Sequence, residues 1–229
     1  MVSKLLLLTA ALSQLVQGGL IRRESIDHDK VVGFPETVPS GVTGEVYKAY
    51  QPLLKVVNGC VPFPAVDAQG NTKLQQWRLL QERRPSLRPG RQSGDKYALM
   101  YSWYFPKDQA APGMGHRHDW EGVIVWISDP ATTSADNILA VCPSGHGKWD
   151  CSTDGYSLQE THPLIRYYSV WPVNHQCGLT DEAGGSQPLV AYESLPEPAK
   201  NALESTDFVK ANVPFKEENW AENLGKATF

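Results

Sequence analysis

The 229-residue chain has no internal repeat, no surplus of basic charge and, beyond residue 19, no apolar run long enough to cross a bilayer. Lys and Arg number 21 against 25 Asp and Glu, a formal charge of -4, which offers no electrostatic footprint for nucleic acid or for an anionic lipid surface. Neither is an expected partner. There is no Gly-x-Ser-x-Gly elbow, no His-Glu-x-x-His pair and no Cys-x-x-Cys, so the sequence names no nucleophile and carries no zinc signature. What is present is buryable surface: 41% of residues are hydrophobic, with 7 Trp, 9 Tyr and 6 Phe, too many for a disordered chain. The length suits one all-β domain, and 19 Gly with 17 Pro predict that turns outweigh long helices.

Residues 1–19 read as a secretory signal peptide: Lys4, an apolar run from Leu5 towards Val16, then Gly18 and Gly19. The run is broken by Ser13, Gln14 and Gln17, which argues against a membrane anchor. The mature chain, 20–229, is then expected outside the cell, with 20 positive against 25 negative side chains, or -5. An exported chain matures where disulfides persist, and four cysteines allow three pairings. Cys142 and Cys151, nine apart around Pro143, Gly145 and Gly147, suit a local staple, which leaves Cys60 and Cys177 as a long-range pair.

Periodicity predicts one helix over Glu45 to Val57, strained by Pro52, and a second from a capping box at Ser194 and Glu197 through Ala199, Ala202 and Leu203 to Ser205. Between them Tyr97–Phe105, Glu121–Ile127, Ile138–Cys142 and Leu164–Val170 read as strands. The fold class is therefore mainly β, a single-domain β-sandwich with peripheral helices. One stretch is foreign to the rest: WRLLQERRPSLRPGR, Trp77 to Arg91, holds five of the nine arginines. It reads either as a basic patch for anionic ligands or, preferably, as a solvated surface loop.

The densest chemistry is GHRHDWE, Gly115 to Glu121, preceded by Asp108. Asp108, His116, Asp119 and Glu121 put three carboxylates and an imidazole within fourteen residues. Carboxylates so close raise one another's pKa unless a cation or protons intervene. A donor set this rich in oxygen favours Mg²⁺, Ca²⁺ or Mn²⁺ over Zn²⁺. The competing reading is a set of surface ion pairs around Arg117 with a core histidine. In an ideal strand Asp119 and Glu121 face one way and His116 and His118 the other, so joint ligation needs a turn or bulge, which Pro112–Gly115 could supply.

GHRHDWE resembles the signature heptapeptide of the necrosis- and ethylene-inducing peptide-like proteins, secreted cytolysins of plant-associated microbes. The likeness extends over ALMYSWYFPKDQAAPGMGHRHDWE, Ala98 to Glu121, and through NGCVPFPAVDAQGN, SGHG, THPLIRYY, WPVNH, GGSQPLVAYESLP and DFVKANVPF. It implies a β-sandwich similar to actinoporins and fungal lectins, and a hydrated divalent cation, Mg or Ca, held by Asp108, His116, Asp119 and Glu121. It also implies binding of plant glycosylinositol phosphorylceramide head groups, damage to eudicot plasma membranes, and sensing of the 98–121 segment by a plant immune receptor. Carried over by position, the glycan- or membrane-facing residues are Asp67, Asn71, Trp171, Asn174 and His175. An indole such as Trp171 stacks on sugars and favours membrane interfaces, though core packing is an equal reading. His146 and His162 are expected to be structural, Arg117 to pair with carboxylates, and His118 to face inward. No catalytic residue is expected, and the protein is expected to be a monomer; a metal-assisted hydrolase and a non-toxic member sensed by plant immunity are the rival readings.

The chain departs from the family pattern at Lys73 to Gln92, where the family usually has a Gly/Ser-rich segment carrying the disulfide partner of the cysteine at Cys60. The departure reads as a gene-model or reading-frame error, or as a divergent copy in which Cys60 has lost its bond and the loop of Asp67 and Asn71 a restraint.

Overall fold

The computed structural model describes residues 25–27, 30–72, 85–93, 95–109, 113, 115–170 and 174–229, with 85–93 described as backbone alone. The proposed signal peptide and residues 73–84 lie outside them.

Two sheets form the expected sandwich. The larger runs β10–β2–β3–β4–β5–β6, built from β2 (Pro85–Ser93), β3 (Lys96–Asp108), β4 (His116–Ile127), β5 (Ile138–Gly145), β6 (Lys148–Trp149) and β10 (Val190–Ala191). The smaller joins β1 (Leu53–Val56) to β8 (His162–Ser169), with β7 (Leu158–Gln159) and β9 (His175–Leu179) also paired to β8. Strand alternation divides the core in two. Odd-numbered Leu99, Tyr101, Trp103 and Phe105 of β3, with Val123, Val125 and Ile127 of β4, meet Ile165, Tyr167 and Cys177 of the smaller sheet. Even-numbered Met100, Tyr104, Trp120, Ile124 and Trp126 pack instead beneath α2 (Glu197–Ser205) and α3 (Glu217–Lys226), through Ala199, Ala202, Leu203 and Trp220 of the helices and Phe215 of the segment between them. Both faces of β3 and β4 are thus covered, which is why they read as nearly continuous apolar runs.

Four expectations are corrected. The first helix, α1, spans Val42–Ala49 and does not reach Val57. Pro52 biases the preceding residue towards extended backbone, and Leu53–Val56 pair in parallel with Leu164–Tyr167. At the second helix Ser194 is not the cap: it closes a 3-10 turn, Pro196 takes the N-cap, and no side chain bonds there. Leu195, ahead of that proline, is extended at φ -69°, ψ 144°, so helical backbone begins only after it. Ala199, Ala202 and Leu203 are the buried face as read.

The arginine-rich run is not a surface loop throughout. Residues 85–93 form β2, an interior strand between β10 and β3. Its register slips between Arg88 and Arg91, around Pro89-Gly90, where the proline has no N–H for the ladder. Cys142 and Cys151 are bonded as expected, but Cys60 and Cys177 are free thiols. Cys177 points from β9 into the core between the sheets, whereas Cys60 lies half-buried on the loop after β1.

The staple closes a nine-residue separation between β5 and the loop after β6. Replacing both cysteines by Ala should lower unfolding free energy by about 2–3 kcal/mol, the loop-entropy cost for that length, measured by urea denaturation. Replacing Cys60 and Cys177 by Ser and Ala should leave the effect of reducing agent on the melt unchanged.

Candidate functional site

β3 and β4 are antiparallel in one continuous register that pairs Phe105 with Asp119, Lys107 with Arg117 and Asp108 with His116. Asp119 and Glu121 continue the odd-numbered face of β4 towards the smaller sheet. Strict alternation would turn Asp108 and His116 the other way, towards the helices. The adjustment occurs within the strands. Pro106, between Phe105 and Lys107, has no N–H, and His118 across from it adopts φ 60°, rare for a residue with a Cβ. Beyond this kink Asp108 reaches β9 and His116 reaches Asp108. The sequence offers Pro112–Gly115 for such a turn, of which residues 112 and 114 lie outside the described ones; among the described residues the kink is at His118. Gly115 has its own requirement, since a Cβ there would stand 2.1 Å from the Asp108 carbonyl oxygen.

The four expected ligands converge at one end of the sandwich, with Asp108, Asp119 and Glu121 all buried. Each carboxylate is held from behind. His175 donates to Asp108 through Nδ1 at 2.6 Å and its backbone N–H at 3.2 Å. The Tyr167 hydroxyl donates to Asp119 at 2.9 Å, and the Ser144 hydroxyl to Glu121. Ser144 in turn accepts the Gly122 N–H at 2.7 Å. Phe105, Tyr167 and His175 form a stack, with centroids 3.8 and 4.8 Å apart, that fixes two of these donors.

This crowding shows in the acidities. Burial, then the neighbouring Asp108, pushes Asp119 up to about 6, and burial with Asp119 beside it holds Glu121 well above the usual carboxylate range. Burial and these two carboxylates also raise the Cys177 thiol. His116 donates through Nδ1 to the His118 carbonyl at 2.9 Å, which in the neutral ring leaves a lone pair on Nε2. That lone pair is 3.4 Å from Asp108 Oδ2. Two acceptors face each other, the arrangement a bound cation or proton relieves. Among the described residues no three such side chains are spaced to grip an ion as they stand. The donor chemistry nevertheless fits a hard cation, since a ligating histidine commonly donates its other N–H to a carbonyl and ligating carboxylates are themselves hydrogen-bonded.

His116, Asp119 and Glu121 open into a cavity of about 310 Å³. Its rim includes Asn174, whose Nδ2 is 3.4 Å from His116 Nε2, so Asn174 joins the cluster. His175 does so only from behind: at 1% exposure it orients Asp108 and does not face a ligand. Asp67 and Asn71 form a closed loop, in which Asp67 Oδ1 accepts the Gln69 and Asn71 N–H groups at 3.0 and 2.8 Å and Oδ2 accepts Asn71 Nδ2 at 2.9 Å. Gly70 seats that loop against α2, where a Cβ would lie 2.5 Å from the Pro198 oxygen. Trp171 lies outside the described residues.

His118 faces inward as expected, 2.5 Å from the Tyr104 hydroxyl. His162 is structural, bonded to the Gln51 carbonyl at 2.8 Å. Arg117 pairs with no carboxylate among the described residues, because its strand neighbours there are Lys107 and the buried His118. His146, expected to be structural, is instead exposed at the tip of the β5–β6 hairpin and lines the cavity. Sequence reasoning also missed the opposite wall, where Asn219 and Asn223 sit four apart on α3 and bond the Val213 and Pro214 carbonyls. An i, i+4 asparagine pair was the only signal available for them.

A family profile described as necrosis inducing protein (NPP1) matches residues 44–227. The chain belongs to this family. It is 37% identical over 231 residues to NLP effector protein 10 of Phytophthora capsici, covering 91% of this chain and 94% of that protein. Two solved family structures align over nearly the whole fold. One, NLPPya in complex with mannosamine, has a TM-score of 0.83 and 40% identity over 90% of this chain and all of that one. The other, the non-toxic HaNLP3 protein, has a TM-score of 0.76 and 34% identity over 88% and 98%. Family membership accounts for the match of GHRHDWE and for the sandwich, and no helix among the described residues is long and apolar enough to cross a membrane.

The raised pKa of Asp119 sets a sign for pH. Between about 4 and 6 the folded chain keeps a proton that the unfolded chain, titrating near 3.8, has released, so stability falls as pH rises. In chelator, Asp119→Asn should flatten this slope by up to about 1.4 kcal/mol per pH unit, followed by thermal melts from pH 4 to 7.

Proposed function

We propose that this family member is a secreted cytolysin that binds the head groups of plant glycosylinositol phosphorylceramide sphingolipids and damages eudicot plasma membranes. In this reading a hydrated divalent cation, Mg²⁺ or Ca²⁺, is held by Asp108, His116, Asp119 and Glu121. When bound, it supplies fixed positive charge at the cavity floor. The observation that supports the reading best is the juxtaposition of crowded carboxylates and a histidine lone pair beneath an open polar cavity. Sugars and hydrated cations share these oxygen and amide donors. The solved complex of a relative with mannosamine supports a glycan as occupant. Asn174 then contacts the sugar, His175 holds Asp108, and Trp171 enters the membrane interface. Asp67 and Asn71, in the loop seated against α2, are the further glycan-facing residues of this reading. The activity is binding and membrane damage, not turnover.

A non-toxic role, as a pattern sensed by a plant immune receptor, is favoured by one feature. Cys60, bonded in the family pattern, is a free thiol beside Lys107 and Asp108, so the loop next to the cluster lacks its covalent restraint. Recognition of the 98–121 segment would follow its release from the fold, because Ala98–Phe105 is buried.

Electrolyte leakage from eudicot leaf discs separates the two. Leakage should stop in chelator and return with Ca²⁺, and leakage indifferent to chelator, or absent with folded protein, would sink the cytolysin reading. Asp119→Ala with Glu121→Ala should weaken Ca²⁺ binding more than ~100-fold by calorimetry, and His175→Ala by roughly 10–100-fold as a supporting residue. Release of free sugar or ceramide would bring back a hydrolase.

A further inference from the structure

The tip of the β5–β6 hairpin, Ser144 to Trp149, walls not one cavity but two. The second, about 540 Å³, lies on its β8–β9 side, shares His146 and Lys148 with the first, and adds Arg166 in place of the buried carboxylates. Besides Ser144, which bonds Glu121, its polar groups include His146, Lys148, Asp150, Arg166, Tyr168 and Gln176. Arg166 is exposed and stacks on the Tyr168 ring at 4.3 Å, and Gln176 Nε2 donates to the Tyr168 hydroxyl at 2.8 Å.

This floor is held in place. Tyr168 and Gln176 are cross-strand partners, as are Arg166 and Gly178. A Cβ on Gly178 would lie 2.9 Å from the Tyr168 ring, and one on Gly145 would lie 3.0 Å from Gln176 Oε1, so two glycines leave the room these side chains occupy. Neither Arg166 nor Lys148 is paired with a carboxylate among the described residues. Asp150, the one carboxylate on the wall, leaves two cations against one anion.

We propose that this second cavity is a subsite for a sugar bearing an anionic group, either a uronate or a sugar phosphate. Arg166 and Lys148 would take the oxyanion, while Asp150, Gln176 and the Tyr168 hydroxyl bond the ring hydroxyls. Donors and acceptors in alternation match a polyol, and the unpaired guanidinium matches a planar or tetrahedral oxyanion. The volume is that of a small-ligand site. The inference rests on the glycan-binding reading above, and extends it: a ligand straddling the hairpin would place neutral or amino sugars over the acidic floor and its negative charge over Arg166.

The test is an NMR titration of ¹⁵N-labelled protein with glucuronate, glucose 6-phosphate and glucose. Binding of glucuronate or glucose 6-phosphate should shift the amides of Arg166–Tyr168 and Gln176, and whichever anion binds identifies the source of the charge. Arg166→Gln, an exposed replacement, should weaken it roughly 10–100-fold, as loss of a charged hydrogen bond does, and Lys148→Gln should also weaken it. Glucose binding as well as either anion, undiminished affinity in Arg166→Gln, or shifts confined to other surfaces would overturn the subsite. Repeating the titration in chelator separates this inference from the cytolysin reading: Arg166-dependent binding without cation-dependent leakage leaves the subsite standing alone.

Discussion

The structure turns on one electrostatic constraint, the crowding of Asp108, Asp119 and Glu121 in a buried corner where the two sheets meet. Two carboxylates about 5 Å apart repel by about 3 kcal/mol at an effective dielectric of ~20, and burial adds to that cost. The surroundings supply the compensation. His175, Tyr167, Ser144 and a Cys177 backbone N–H each donate to one of the three. All but Ser144 come from β8 and β9, so the smaller sheet is a frame of donors as well as the second layer of the sandwich. Destabilising clusters of this kind persist where function requires them.

The kink that assembles the cluster is a second, smaller cost. A single positive φ at His118, opposite a proline that cannot join the ladder, turns Asp108 and His116 to the face already used by Asp119 and Glu121. His118 offsets the strain locally through its bond to Tyr104 and its ring contact with Phe208. His118, expected only to face inward, is thereby also the residue at which Asp108 and His116 are brought round to the other carboxylates. The same strand carries the crowded carboxylates on one face and the helix-covered core on the other.

Much of this was legible in the residues. The strands at Tyr97–Phe105 and Glu121–Ile127 declared themselves because both faces are apolar, and the Cys142–Cys151 staple because its loop is short. The convergence of Asp108 with GHRHDWE followed from carboxylate chemistry and the family likeness. Other features carried no local signal. Nothing in the spacing of Pro52 distinguishes a kinked helix from a helix followed by a strand until β8 offers a partner. The arginine-rich run reads as solvated until β3 and β10 pair with it, and its prolines mark only where the register slips. His175 looked like a ligand-facing group because sequence position cannot show that a side chain lies at 1% exposure behind Asp108.

Residue type and short periodicities were enough for the chemistry: which oxygen and nitrogen donors exist, that they are too many carboxylates to coexist without a partner, and that the domain is a β-sandwich. Which donors face the cavity and which stand behind them, and that a hairpin tip carrying Lys148 parts the cavity over Asp119 and Glu121 from a second one edged by Arg166, emerge with the packing of the strands. Facing and burial depend on contacts between β3, β4, β8, β9 and α3, up to more than a hundred residues apart in the chain, and no local pattern encodes a contact of that range.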